Sequence, residues 1–158
     1  MTAAYVALGA NLGDPAATVR AACDALAGLP ATRLVARSAL YRTAPVGLLG
    51  QPDFINAAAA LDTGLAPEEL LAALLAVEKR FGRVRGEKNG PRRLDLDLLL
   101  HGDAVLALPG LTLPHPRLHL RAFVLVPLAE IAPDLALPGR GSVAAWLPAV
   151  ALQAIERL

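Results

Sequence analysis

Two aspartates, Asp95 and Asp97, alternate with leucines in residues 94–100, and this pattern predicts a β-strand. Successive side chains of a strand point to opposite faces, so the two carboxylates share one face. The other face is formed by Leu94, Leu96 and Leu98, and we expect it to lie on the hydrophobic core. Two like charges side by side are costly to bury unless a cation compensates them. The strand therefore predicts a sheet with a buried apolar face and a charged site on the opposite face.

The segment that precedes this strand, residues 79–93, is strongly basic and rich in residues that break regular structure. It holds seven of the fifteen Lys and Arg residues of the chain, together with three glycines and one proline. We expect an exposed loop. It can be an ordinary solvated loop, or a lid whose guanidinium groups bind the oxygens of a polyphosphate.

Magnesium accounts for both the aspartate pair and the basic loop. Mg²⁺ prefers oxygen ligands and commonly binds through one or two carboxylates plus the phosphates of a substrate. An isolated Asp-x-Asp pattern is a weak signal, and the adjoining basic loop strengthens it. The sequence therefore predicts that Asp95 and Asp97 hold divalent metal ions and that the site moves phosphate groups of a nucleotide.

Short strands and helices separated by Gly and Pro are predicted for the rest of the chain. Strands are expected at residues 3–8, 32–43 and 54–63, with a loop at 44–53. Helices are expected at residues 14–28, from residue 67 to about Glu78, at 122–132 and near 143–158.

In the second helix, Leu71, Leu74 and Leu75 are predicted to form the buried stripe, and the same stripe reaches Glu78. An inward-facing carboxylate near a helix end is either paired with a cation or part of a site. The residues alone favour the paired, structural interpretation.

Composition excludes several classes of protein. The length of 158 residues suits one domain, so residues 1–158 are expected to form a single domain. A formal net charge of +1 gives no general affinity for nucleic acid or an anionic membrane. The apolar runs are too short for a membrane span, and the N-terminus does not resemble a secretory signal. We expect a cytoplasmic protein in which Cys23 is a small buried thiol without a catalytic role.

A transition-metal site at His115 and His119 is not favoured, because neither a cysteine partner nor a third obvious ligand accompanies them.

Five motifs carry a resemblance to a known family. They are residues 7–13 (ALGANLG), 41–43 (YRT), 51–56 (QPDFIN), 90–97 (GPRRLDLD) and 114–117 (PHPR). In their order and spacing the chain resembles the 6-hydroxymethyl-7,8-dihydropterin pyrophosphokinases, folate-pathway enzymes that transfer pyrophosphate from ATP. The resemblance covers most of the chain, and the fourth motif is the most specific. It implies an α+β, ferredoxin-like fold with a mainly antiparallel sheet and helices on both faces.

The resemblance also assigns roles to individual residues. It implies that Asp95 and Asp97 bind two Mg²⁺ ions and that Arg83 and Arg92 engage the phosphates during transfer. Strand alternation alone would select Arg93 instead of Arg92, and we follow the motif match. The positions that match the ATP site are Glu78, Arg83, Arg85, Arg92, Leu98, Thr112, His115 and Arg121. The positions that match the pterin pocket are Thr43, Val46, Phe54, Asn56 and Phe123.

Some positions depart from the family pattern. The basic loop is one residue shorter, and Leu75, Asn89, Gly110 and Pro116 replace other residue types. These departures concern ATP affinity more than the reaction, since the carboxylates and key arginines remain.

The expected reaction is attack of the pterin hydroxymethyl oxygen on the β-phosphorus of ATP, which releases AMP. The expected partners are these small molecules, with no nucleic acid and no membrane, and a monomer is expected. Two alternatives remain open from the residues. A metal-dependent phosphodiesterase or nuclease can use the same aspartates, whereas an RNA-binding domain would stack bases on strand aromatics, of which this chain has few.

Overall fold

A computed structural model describes residues 1–45, 50–82 and 93–158 of the chain. The strands are β1 Thr2–Ala10, β2 Thr32–Arg37, β3 Tyr41–Thr43, β4 Phe54–Thr63, β5 Asp95–His101, β6 Leu106–Leu108, β7 Leu111–Leu113, β8 Ala136–Leu137, β9 Gly141–Ser142 and β10 Glu156–Arg157. The helices are α1 Pro15–Ala27, α2 Pro67–Arg80, α3 Ala122–Ile131 and the short α4 Val143–Trp146, with 3₁₀ turns at Leu118–Leu120 and Leu147–Val150.

Six of the strands form one antiparallel sheet. Its order is β10-β3-β4-β1-β5, and β2 pairs with the other half of β4. β6 with β7 and β8 with β9 form two separate hairpins. The prediction of strand at residues 54–63 is confirmed, and β1 and β5 lie where the apolar patterns placed them.

The prediction of one continuous strand over residues 32–43 is wrong, because Ser38 interrupts it. The Ser38 hydroxyl accepts a hydrogen bond from the N–H of Ala58 at 2.9 Å, and the Ser38 N–H donates to the Ala58 carbonyl at 2.9 Å. The segment therefore forms two strands, β2 and β3, which lie one after the other along the same edge of β4.

Helices cover both faces of the sheet, as expected. α1 and α2 pack on one face, against Val6 and Leu8 of β1 and Leu96 and Leu98 of β5. α3 packs on the other face, over Ala7, with the C-terminal segment beside it. The leucines of the alternating segment therefore lie in the core, as the strand pattern predicts.

The start and end of α1 are set by local signals. The Asp14 carboxylate accepts a hydrogen bond from the Ala17 N–H at 3.1 Å, Pro15 occupies the first turn, and Gly28 ends the helix. Cys23 lies on its buried face, and burial raises the pKa of the Cys23 thiol.

The predicted buried stripe of α2 is partly wrong. Its buried residues are Leu70, Leu74, Val77 and Glu78, whereas Leu75 is 49% exposed. The prediction that the inward face includes Glu78 is confirmed.

The helix expected near residues 143–158 is also wrong in its extent. α4 ends at Trp146, a 3₁₀ turn containing Pro148 follows, and the chain finishes in strand β10, which pairs with β3. Proline lacks the N–H that a longer helix would need.

Within the three described ranges, no helix has the length and apolar character needed to cross a membrane.

Candidate active site

The strand register aligns the predicted site residues in a row across the sheet. Asp95 of β5 lies opposite Gly9 of β1, Gly9 lies opposite Asn56 of β4, and Asn56 lies opposite Tyr41 of β3. Residues paired in this way point to the same face. The Asp95 carboxylate and the Asn56 amide therefore lie at two ends of the predicted site, on the face of the sheet on which α3 packs. Gly9, which has no side chain, separates them.

Asp97 occupies the next position on the same face, opposite Ala7 of β1. Both aspartates are half-buried. The strand period thus places two carboxylates together, as predicted, and the small residues facing them on β1 leave space above the sheet.

At the other end of the row, two buried polar side chains hold each other in place. The Asn56 amide nitrogen donates to the Thr43 hydroxyl at 2.7 Å, and only 5% of Asn56 and 8% of Thr43 are exposed. Thr43 is paired with Phe54, which lies half-buried two residues before Asn56. Three of the five predicted pterin residues therefore form one group on β3 and β4.

The start of α3 brings two further predicted residues to this face. Phe123 lies in the first turn of the helix and is half-buried, and the Arg121 guanidinium lies 5.4 Å from the centre of its ring. Partial burial lowers the pKa of Arg121, neighbouring Arg117 acts in the same direction, and the charges of Asp97 and Asp95 oppose them. Arg121 is therefore a cation within electrostatic reach of both aspartates.

A cleft of about 260 Å³ lies beside β5, on the side away from β1. Its lining is a mixture of apolar and polar residues from β5, α2, β7 and the residues on either side of β7: Leu71, Leu96, Asp97, Leu98, Gly110, Leu111, Thr112, His115 and Pro116. Three predicted ATP-site residues, Leu98, Thr112 and His115, therefore meet Asp97 at one cavity.

The imidazole of His115 has a defined chemical state. Its Nδ1 accepts a hydrogen bond from the Arg117 N–H at 3.3 Å, so the neutral ring carries its proton on Nε2. Burial lowers the pKa of His115 to about 4, helped by the positive charges of Arg121, Arg117 and Arg140. The ring is thus neutral near pH 7 and offers one N–H donor.

The backbone of His115 is fixed on two sides. Its N–H donates to the Leu99 carbonyl of β5 at 2.9 Å, and its carbonyl accepts from Arg140 Nη1 at 2.9 Å. Arg140 lies between β8 and β9, and its own carbonyl accepts from Trp146 Nε1 at 2.8 Å. The C-terminal region therefore holds a wall of the cleft.

Glu78 lies beneath the strand that carries the aspartates and is 2% exposed. Its Oε2 accepts a hydrogen bond of 2.7 Å from the N–H of Leu96, the residue between Asp95 and Asp97. The contact fixes the backbone at the aspartate pair, since a buried N–H needs a partner.

Four predicted site residues, Val46, Arg83, Arg85 and Arg92, lie outside the described residues, as does Asn89. Arg93 is exposed, and its side chain lies beside Gly82, which has a φ of +79°. Gly82 and Arg93, which flank the undescribed residues 83–92, therefore lie close together near the C-terminal end of α2.

Two polar contacts near the site were not predicted. One is the Arg140 contact with His115, which joins residues far apart in the sequence and has no local signal. In the other, Asn11 Nδ2 donates to Gln51 Oε1 at 2.8 Å and to the Pro52 carbonyl at 3.0 Å, which fixes the turn after β1 to the residues before β4. Asn11 and Gln51 both lie in motifs that carry the resemblance. Their place in those motifs was the signal from which this contact could have been predicted.

Within the described part of the chain, no three His, Cys, Asp or Glu side chains are grouped as a metal site. A pair of carboxylates suits an ion whose other ligands are phosphate oxygens and water.

Comparison with known proteins gives consistent results. The sequence model of the 7,8-dihydro-6-hydroxymethylpterin-pyrophosphokinase family matches residues 5–133. A 2-amino-4-hydroxy-6-hydroxymethyldihydropteridine pyrophosphokinase of Pseudomonas aeruginosa is 53% identical over 154 residues, which are 98% of this chain and 95% of the relative. The enzyme of the same name from Methylorubrum extorquens is 51% identical over 139 residues, 88% of each chain.

Solved structures share the fold. The Plasmodium falciparum HPPK-DHPS with pteroate superposes with a TM-score of 0.73 at 12% identity, over 93% of this chain and 42% of that one. An HPPK-DHPS in complex with substrates gives a TM-score of 0.71 at 13% identity, over 93% and 43%. This chain spans less than half the length of those proteins, and the likeness confirms the ferredoxin-like α+β architecture.

Proposed function

This chain belongs to the 7,8-dihydro-6-hydroxymethylpterin-pyrophosphokinase family, and from this we infer that it transfers the pyrophosphoryl group of ATP to the hydroxymethyl group of 6-hydroxymethyl-7,8-dihydropterin. AMP is the second product, and the reaction belongs to folate biosynthesis. The observation that supports it best within the molecule is the row across the sheet, in which Asp95, Gly9 and Asn56 are neighbours on one face.

We propose that Asp95 and Asp97 hold two Mg²⁺ ions. Two half-buried carboxylates on one face, next to a cleft lined by polar groups, suit ions that also bind phosphate. When bound, the ions would neutralise phosphate charge and make the acceptor alcohol more acidic. Arg121 adds a positive charge within electrostatic reach of the same carboxylates.

The nucleotide would occupy the cleft beside β5. Leu98 and the neighbouring apolar side chains suit the adenine ring, and Thr112 and His115 offer hydrogen bonds. Because the His115 ring is neutral with its proton on Nε2, it would act as a donor to the nucleotide without adding charge. Glu78 would act through the backbone of β5. Arg83 and Arg92 are assigned to the phosphates, and Arg85 to the ATP site, on their sequence positions alone.

The pterin would lie over the other end of the row. A flat heterocycle with amide-like edges suits stacking between Phe54 and Phe123 and hydrogen bonds to Asn56 and Thr43. Val46 is assigned to this pocket on its sequence position.

The two sites lie on opposite sides of the aspartates, and this arrangement suits a direct transfer. The hydroxymethyl oxygen forms a bond to the β-phosphorus, the bond from that phosphorus to the oxygen bridging to the α-phosphorus breaks, and AMP leaves. The hydroxyl proton passes to solvent. Reactions of this type depend mainly on positioning and charge neutralisation, so a row of fixed side chains with two metal ions provides what the step needs.

We further propose that residues 1–158 act as one domain, as a monomer, in the cytoplasm.

A product assay tests the proposal. Protein, MgATP and hydroxymethyldihydropterin are mixed, and nucleotides and pterins are separated by chromatography. AMP and pterin pyrophosphate in equal amounts are expected. ADP as the only nucleotide product, or hydrolysis of ATP without a pterin product, would refute the assignment.

The metal role is tested with Asp97→Ala and a matched control, Asp103→Ala, in the exposed turn after β5. Asp97→Ala should abolish turnover with an unchanged circular dichroism spectrum, whereas Asp103→Ala should keep normal turnover. Near-normal activity of Asp97→Ala would remove the metal assignment.

A further inference from the structure

Gly9 is the residue between the aspartates and the pterin pocket, and there is little room for a side chain at its position. A Cβ built on Gly9 would lie 3.1 Å from Asn56 Oδ1 and 4.0 Å from Phe54 Cδ1. The first distance is shorter than ordinary contacts of a Cβ, and the second is ordinary. Gly9 does not need an unusual backbone conformation, since its φ is not positive. The requirement for glycine here is therefore one of space alone.

The amide that a Cβ would contact cannot easily move. Asn56 is buried, and its other amide atom, Nδ2, is held by Thr43 at 2.7 Å. Thr43 is itself buried and paired in the sheet with Phe54. A methyl group at Gly9 would therefore force the Asn56 amide to shift by a few tenths of an ångström, against the hydrogen bond that holds it to Thr43.

We propose that Gly9 is a positioning residue for the acceptor: its missing side chain lets the Asn56 amide lie close against β1 in the orientation that binds the pterin edge. The same missing side chain means that no Cβ stands between the pterin pocket and Asp95, the register neighbour of Gly9 on its other side. Gly9 would thereby determine both how the acceptor is oriented and whether its hydroxymethyl arm reaches the aspartates. This inference rests on the proposed function.

Gly9→Ala tests the inference, with Gly28→Ala as the matched control. Gly28 ends α1 with a φ of −95°, and a Cβ there would meet only the Ala25 carbonyl at 3.6 Å, an ordinary contact. Gly9→Ala should lower kcat/KM for the pterin about tenfold or more, the loss expected when one hydrogen bond is misaligned. The Kd for a nonhydrolysable ATP analogue with Mg²⁺ should stay within twofold, and Gly28→Ala should leave both values unchanged.

A double-mutant cycle shows whether the methyl group acts through the amide. In an Asn56→Ala background, Gly9→Ala should cost much less than in the wild type, because the atom that it displaces is absent. If Gly9→Ala alone does not fold, the inference requires the double variant to fold and to match Asn56→Ala.

The outcomes separate the inference from the proposed function. Normal pterin kinetics of Asn56→Ala would refute the pterin pocket. A defect in Asn56→Ala with normal kinetics in Gly9→Ala would refute the role of Gly9 alone. Equal losses of pterin and ATP-analogue binding in Gly9→Ala, or additive losses in the cycle, would show a general structural effect and also overturn the inference.

Discussion

Replacing Thr43 by valine removes one hydroxyl and keeps the shape of the side chain. The hydroxyl accepts the 2.7 Å hydrogen bond from the Asn56 amide, and both residues are buried. Leaving a buried donor without this partner costs about 1–3 kcal/mol. With an unfolding entropy of about 2.1 cal/mol/K per residue, a chain of this length should lose roughly 3–9 °C in Tm. Differential scanning calorimetry of the ligand-free protein measures the shift.

The same change should weaken binding at the proposed pterin site. Without the Thr43 contact the Asn56 amide can rotate, so KM for the pterin should rise about tenfold. KM for ATP should change little, because the cleft beside β5 does not include either residue. Steady-state assays that follow AMP, with each substrate varied in turn, separate the two values.

Thr63→Val is the matched control. Thr63 is 1% exposed, its hydroxyl lies 2.7 Å from the Thr32 hydroxyl, and it accepts from the Leu65 N–H at 3.0 Å. It sits at the other end of β4, so its loss should lower Tm by a similar amount with a normal KM for the pterin. An equal rise in this KM for both variants, or no rise for Thr43→Val, would refute the reasoning.

Three further predictions follow from described contacts. Burial, and then the hydrogen bond at 2.6 Å to Glu130, raises the pKa of Tyr41 to about 12. Glu130→Gln should therefore lower the pKa of Tyr41. Ultraviolet titration measures this pKa in a background that lacks the other tyrosine, Tyr5. An unchanged pKa would contradict this role of Glu130. The stability that Tyr41 contributes should be complete below pH 10 and lost as the pH rises through 12. His115 has a pKa of about 4, so the stability that it contributes to the folded protein should be complete above pH 6.5 and lost as the pH falls through 4. Nitrogen NMR should show a neutral ring with its proton on Nε2 at pH 7. A doubly protonated ring at that pH would contradict the prediction. Finally, Leu74→Ala should lower the free energy of unfolding by about 2–5 kcal/mol, because Leu74 is buried. Leu75→Ala should lower it by under about 1 kcal/mol, because Leu75 is exposed. Urea denaturation measures both values, and equal losses would contradict the described buried face of α2.

Much of the fold could be predicted where the signal is local. The alternation of aspartate and leucine fixed the faces of β5, and Asp14, Pro15 and Gly28 fixed the ends of α1. These features depend on residues within a few positions of each other, so their physical cause is present in the sequence itself.

The secondary-structure predictions are wrong where contacts between residues distant in the sequence determine the structure. Ser38 breaks the strand at residues 32–43 through bonds to Ala58, twenty residues away. The last residues form a strand because they pair with β3, and Gln153 Oε1 accepts from the Ala122 N–H at the start of α3. In α2, leucines and alanines surround Leu74 on several sides, so more than one stripe fits the helical period.

For the site, residue spacing predicted the aspartate pair and its shared face. It did not predict the acceptor pocket, because Thr43, Asn56 and Phe123 are brought together only by strand pairing and by the packing of α3. Those residues came from the resemblance to a family. Their assignment as binding residues stays a prediction until the variants above are measured.

The small side chains under α3 have a consequence for how the pocket can vary. Ala7 and Ala58 are both buried beneath the helix, which rests directly on β1 and β4. Their small side chains let the helix lie close to the sheet, and this helix carries Phe123 in its first turn and follows directly after Arg121. A larger residue such as valine in place of Ala58 would raise the helix and widen the gap above the sheet. Substrate preference in such a protein can therefore drift through changes in the core, at positions that never touch a substrate.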